Sequence, residues 1–252
     1  MVFERYYWED VMAPAAKHSH KEQEQLILDA AVECIQETSL LDFTMSAISK
    51  AAGMSMGSIY KHVQCKEDII FALATRGYRH QSAIFSKVLA LPLTTPEKFI
   101  GLTLLCPKKT KLYDFDSHLE SFATNELIIK RTSAHWAQHM ISAHENCESI
   151  FSQCMHQAVT SGELNFDGNI DEMIEEINLS CWALHMGYQQ VERIIQVRQI
   201  AEETDSLHDA VPLDALVIKS VTRLLNSYDW QKPLDSDGVL KVANLLQQHS
   251  LR

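Results

Sequence analysis

Eight glycines and six prolines are few for a chain of 252 residues. A many-turned all-β fold draws heavily on both, so the shortage points to long helices instead. No apolar run approaches the roughly 20 residues needed to span a bilayer; the longest candidate is FIGLTLLC (99–106). The first twenty residues lack the apolar core of a secretory signal, because Glu4, Glu9 and Asp10 interrupt it. The cysteines (34, 65, 106, 147, 154, 181) include no C-x-x-C pair and read as reduced core or surface thiols. Together these absences predict a cytoplasmic protein with no membrane partner.

Negative charge is missing from part of the chain. The chain carries a formal net charge of −11, yet Phe43–Lys66 holds Lys50, Lys61 and Lys66 and no carboxylate. The remaining 228 residues carry 19 basic and 33 acidic side chains. A small basic face on an acidic body is an electrostatic footprint suited to nucleic acid.

What is present is helical periodicity. Leu26, Ile27, Ala30, Ala31, Cys34 and Ile35 predict a first helix over about 21–37, preceded by an irregular arm over 1–20. That arm, with Lys17, His18, His20 and Lys21, offers few charges for reaching DNA. Thr44 suits the cap of a short second helix, MSAISKAA, which Gly53 ends. Ser55 suits the cap of a third through His62. A fourth runs to about Leu89, with Glu67 and Asp68 in its first turn. Pro92 and Pro96 place a boundary near residue 90, dividing a module over 21–90 from one over 91–252. Apolar periodicity then covers about 96–106, 116–123, 126–160, 170–202, 212–228 and 237–249, with no strand-like alternation. The expected fold class is all-α.

The stretch GMSMG (53–57) has two incompatible readings. Gly-x-Ser-x-Gly is the spacing of a hydrolase nucleophile elbow, which would activate Ser55. That motif needs a buried strand directly before it, and TMSAISKAA is small, alanine-rich and helical in spacing. The alternative is the tight turn of a helix-turn-helix. Ser49 is small where two helices approach, Gly53 stands at the turn, and Ile48, Ala52, Met54, Ile59 and Val63 supply the locking contacts. Gly57 then lets the backbone approach a phosphodiester, and Ser55, Met56, Ser58 and Lys61 face the groove.

Over residues 26–73 the sequence resembles the N-terminal domain of tetracycline-repressor (TetR) family transcriptional regulators. Ala52-Gly53, Ser55, Gly57, Ile59-Tyr60, His62 and Lys66-Glu67 stand in that family's order. The resemblance implies phosphate contacts from Thr44, Tyr60, His62 and Lys66, and groove contacts around Met56, Ser58 and Lys61. Met56 stands where the family often has a basic residue, Val63 replaces a usual phenylalanine, and Ser39 falls near a common glycine. The resemblance further implies a three-helix reading head and a C-terminal helical domain for ligand binding and dimerisation. Its expected partners are palindromic operator double-stranded DNA, a second copy of the chain, and a largely apolar small-molecule effector that releases a repressor.

By the same resemblance the dimer contact falls on about 170–202 and 212–228. Ile174, Ile177, Cys181, Leu184, Met186 and Tyr188 form one apolar stripe there, and Leu216, Val217, Val221, Leu224 and Leu225 another. Phe115, Phe122, Trp136, His139, Trp182 and His185 are candidates to line an effector cavity. His135 and His139 have a spacing that brings two imidazoles to one metal, but no third ligand is placed by sequence, so no metal and no cofactor is assigned. The alternative function is an all-α enzyme or small-molecule-binding protein whose helix-turn-helix is unused. No catalytic residue is assigned.

Overall fold

The computed structural model describes residues 19–201 and 210–252; the predicted arm therefore lies outside it, apart from Ser19 and His20. Two compact units divide the chain, Met1–Ile69 and Ile70–Arg252. The division falls inside a helix.

The first unit is built from α1 (His20–Glu37), α2 (Met45–Ala51), α3 (Met56–Ile59) and the start of α4 (Lys66–Leu89). α1 starts with a capping box: the Ser19 hydroxyl accepts from the Glu22 N–H, and the Ser19 N–H donates to the Glu22 carboxylate at 2.7 Å. His20 is thus the first helical residue rather than part of an arm. Thr44 and Ser55 cap α2 and α3 by accepting from the N–H groups of Ala47 and Ser58. Gly53 carries φ 63°, a left-handed conformation that glycine adopts without steric cost. The Ser49 hydroxyl donates to the Met54 carbonyl across this turn at 2.6 Å. α1 packs on α2, and α2 on α3. Ile27, Leu28, Ile35, Phe43, Ile48 and Ile59 are buried. Val63 is buried as well, so the smaller side chain still occupies an interior place.

The second unit contains the rest of α4, then α5 (Thr95–Thr103), α6 (Pro107–Thr110), α7 (Asp116–Ala123), α8 (Glu126–Ile129), α9 (Ala134–Thr160), α10 (Ile170–Ala201), α11 (Leu216–Leu225) and α12 (Ser236–Gln248). The stretch expected as one helix over 126–160 is broken, because Ser133 takes up extended backbone and serves as the N-cap position of α9. Sheet is confined to a two-residue antiparallel pairing of β1 (Leu164–Asn165) with β2 (Asp229–Trp230). Trp230 anchors it by donating its indole N–H to the Leu225 carbonyl at 2.6 Å. The core gathers Val88, Ile100, Leu104, Met155, Val242 and Leu246. A side-chain carbon at Gly101 would come within 3.2 Å of Val88 and Val242, so glycine is what lets α5 approach this closely.

The dimer stripes need correction. Ile174, Ile177, Val217, Val221 and Leu225 are buried in the unit's own core, and Cys181, Leu184 and Tyr188 pack against it. They are not surplus to one copy. At about 100° per residue, the inward residues of α10 occupy one side of the helix. Leu179, Trp182, Met186 and Ile194 fall within about 120° on the opposite side. Leu179, Trp182 and Ile194 are exposed at 57%, 43% and 54%, and Met186 is half-buried. α10 is apolar on both faces.

Candidate nucleic-acid interface

The GMSMG turn joins α2 to α3, so a helix stands where a nucleophile elbow needs a strand. Ser55 Oγ accepts from the Ser58 N–H at 3.2 Å and lies 3.0 Å from Ser58 Oγ, which accounts for it as a cap. Around this turn the predicted contact residues spread over one short segment. Thr44, Ser55, Gly57, Tyr60 and Lys61 are exposed, while Met56 and Ser58 are half-buried. A side-chain carbon at Gly57 would meet nothing nearer than Ser55 Oγ at 4.0 Å, so this turn of backbone stands open. Tyr60 forms the C-cap of α3 with 48% of its surface exposed, leaving the phenol available to an external acceptor.

Lys66 is held in place from inside the unit. Its ammonium donates to the Leu41 carbonyl at 2.5 Å and sits 4.2 Å above the centre of the Phe43 ring. An ammonium has three donors, so this docking fixes the charge near the surface and leaves capacity for a phosphate oxygen.

His62 departs from the implied set of phosphate contacts. Only 7% of it is exposed, because its ring lies 4.2 Å from that of His20, centre to centre, and its Nε2 is 3.1 Å from Gln23 Oε1. Burial, reinforced by His20, lowers its pKa below the ordinary imidazole value. Sequence reasoning did not pair it with α1, since nothing local connects positions 20 and 62.

In the second unit the six predicted effector residues take part in several separate contacts. Trp136 is buried and touches His139, their rings 5.3 Å apart; His135 and His139 lie 4.4 Å apart. Trp182 meets His144 at 5.2 Å, and Phe115 stacks on Tyr113 at 5.2 Å. His185 bonds Gln189, and burial lowers its pKa. Phe122 is half-buried.

Among the described residues, an open groove of about 510 Å³ runs along α11 and the start of α12, lined in part by Ile218, Lys219, Arg223 and Asp235. A second cavity of about 20 Å³ lies between α4 and α7, lined by Tyr78, Gln81, Asp116 and Glu120 among others. That volume suits about one water molecule. Asp116 Oδ1 is buried there without a hydrogen-bond partner, and burial raises the carboxyl above its ordinary pKa. Sequence reasoning missed Asp116 because a carboxylate in a helix's first turn reads as a dipole partner exposed to solvent.

Residues 27–73 match the family model described as bacterial regulatory proteins, tetR family. An uncharacterized HTH-type transcriptional regulator of Mycobacterium bovis is 28% identical over 95 residues, covering 37% of this chain and 49% of its own length. Its counterparts in Mycobacterium tuberculosis match equally. The chain thus spans about half the length of the curated relatives it matches. Among solved structures, a TetR-family transcriptional regulator from Cytophaga hutchinsonii aligns with a TM-score of 0.53 at 15% identity, covering 86% of this chain and 100% of that one. The regulator FadR of Bacillus subtilis, solved in complex with stearoyl-CoA, aligns with a TM-score of 0.50 at 19% identity over 78% of this chain and 96% of its own. At such identities the likeness is one of fold.

Proposed function

From the match of residues 27–73 to the tetR family model, we propose that this chain is a TetR-family repressor that binds a palindromic operator as a homodimer and is released by a small molecule. The observation that carries the reading is the exposed, carboxylate-free segment around α3, with Tyr60 and Lys61 at its surface and Lys66 docked behind it. Phosphate contacts from Thr44, Tyr60 and Lys66 would set the register, and Met56, Ser58 and Lys61 would meet base edges. A four-residue reading helix buries too little surface to bind tightly alone, which favours two heads on a two-fold site. The outward apolar face of α10 supports the second copy.

For the effector, the reading is a molecule with an apolar body and a hydrogen-bond donor. The aromatic pairs around His144 and Trp136 supply the apolar surroundings, and the buried Asp116 oxygen supplies an acceptor. The cavity beside Asp116 must widen to admit more than a water, and that widening is the motion an effector would drive. FadR of Bacillus subtilis, with its stearoyl-CoA, is a precedent for a long apolar ligand in a similar fold.

The test is selection of bound duplexes from a random DNA pool with the purified chain. Enrichment of a symmetric site, with affinity falling as salt rises, is the expected result. A pool that stays unenriched would favour an all-α binding protein with an unused helix-turn-helix.

A further inference from the structure

We propose that His20, Glu24 and His62 form a binding site for one divalent transition-metal ion of the Zn²⁺ type within the first unit. One potential ligand atom from each of these residues lies within 4.8 Å of the others. No other group of three or more such side chains meets this condition among the described residues, the His135–His139 pair included. His20 and Glu24 sit one turn apart on α1, so they share a face. His62 arrives from the segment after α3 and closes the group from the buried side.

The chemistry of the donors selects the ion. Two imidazoles and one carboxylate are a nitrogen-rich set that suits Zn²⁺, with a water in the fourth position, better than it suits Mg²⁺ or Ca²⁺. Ligands about 2.0–2.2 Å from a tetrahedral ion stand roughly 3.3 Å from one another, so the three must close by up to about 1.5 Å. His20 is exposed and Glu24 half-buried, so both have room to turn inward, and the exposed side is the entry path.

Gln23 Oε1 can only accept, so in the tautomer that donates from His62 Nε2 across the 3.1 Å contact, Nδ1 carries the lone pair. An outer partner that fixes the tautomer of a ligating histidine is the usual support of such a site. A bound ion would tie the first turn of α1 to the end of the reading motif, adding to the Gln23–His62 contact.

The experiment uses the full chain, stripped with a chelator and kept reduced, titrated with Zn²⁺ in a calorimeter and with Co²⁺ in an absorption cell. One saturable equivalent is expected at micromolar concentration or below, and the cobalt spectrum should show nitrogen and oxygen ligation without a sulfur charge-transfer band. His20→Ala and Glu24→Gln should each weaken binding at least tenfold and abolish the rise in melting temperature that Zn²⁺ gives the parent. His20 is exposed and Glu24 half-buried, and unchanged far-ultraviolet dichroism would verify that the variants fold. His135→Ala should bind as the parent does. Binding that survives both α1 changes, a sulfur-ligated cobalt spectrum, or no saturable binding at submillimolar metal would each overturn the proposal. The readout is metal binding itself, so it stands or falls apart from DNA recognition.

Discussion

Gly53 and Ser55 lie two residues apart and stabilise the turn by different means. Nothing lies within 4 Å of a side-chain carbon built at Gly53, so replacing it costs conformational energy and no clash. Gly53→Ala should therefore destabilise by about 1–2 kcal/mol, the penalty of a left-handed backbone. Ser55→Ala should cost about 0.5–2 kcal/mol through loss of the cap. Denaturant melts measure both, and covalent labelling of Ser55 by a serine-directed phosphonate would refute its role as an inert cap. On the same segment, Tyr60→Phe and Lys66→Ala should weaken binding to every duplex alike, whereas Lys61→Ala should alter which bases are preferred. Gel-shift titrations on the selected site and on single-base variants separate the two effects, and a uniform loss in all three would show the assignment of roles to be wrong.

At the scale of elements, the caps do most to define where helices begin, and one cap is also an ion pair. The Thr94 N–H donates to Glu97 Oε2 at 2.9 Å in the capping box of α5, and the Lys241 ammonium of α12 donates to the same oxygen at 2.8 Å. Burial pushes the Glu97 pKa up, but the bonds from Lys241 and Thr94 outweigh it and hold the carboxyl below its ordinary value. A carboxyl whose folded pKa is depressed adds stability that is fully present above its unfolded pKa, about 4.3, and is lost as pH falls through the folded value. Lys241→Met leaves a carboxylate whose side chain is only 3% exposed without its cation. Breaking such a pair costs about 3–5 kcal/mol when both partners are buried, and less here because Lys241 is half-exposed. Urea melts at neutral pH and near pH 3 should show a large gap between parent and variant at neutral pH that narrows in acid. An equal gap at both would mean that packing, not charge, is what the lysine supplies.

For the whole molecule, the two-faced α10 is the feature with the widest consequence. Its inner side belongs to the core, so a change there unfolds the chain, while its outer side is free to serve a second copy. Light scattering should find a dimer at micromolar concentration, and Leu179→Glu should give a folded monomer, because a charge buried without a partner opposes association and not folding. A dimer that persists in Leu179→Glu would place the contact elsewhere. Coupling between effector and operator is the second consequence at this scale. A tenfold loss of operator affinity requires about 1.4 kcal/mol of differential ligand binding, and operator must weaken the effector by the same factor. Tryptophan fluorescence titrated with candidate effectors, with and without operator, measures both, and equal affinities in the two titrations would show that the ligand does not act as a switch.

What the sequence by itself determined is whatever depends on neighbours three or four residues away. Apolar periodicity and the Ser, Thr and Gly signals located α1, α2, α4, α7, α10 and α12 to within a residue or two, because caps and helical faces are local physics. The order Ala52 to Glu67 likewise carried the resemblance that the family match over 27–73 supports. Tertiary structure decided the rest. Periodicity marks both faces of α10 as apolar but does not say which one the core takes. The break at Ser133 depends on how α8 and α9 are placed, since Ser, Thr and Arg are tolerated within a helix. The expectation that aromatic residues at 115, 122, 136 and 182 line one cavity rests on composition, which carries no distances. The meeting of His20 and Glu24 with His62, and the gathering of Asp116 and Tyr78 around one small cavity, join positions far apart in the chain. Folding brings such groups together through the packing of whole helices, and no short-range signal in the residues themselves records where that packing leaves them.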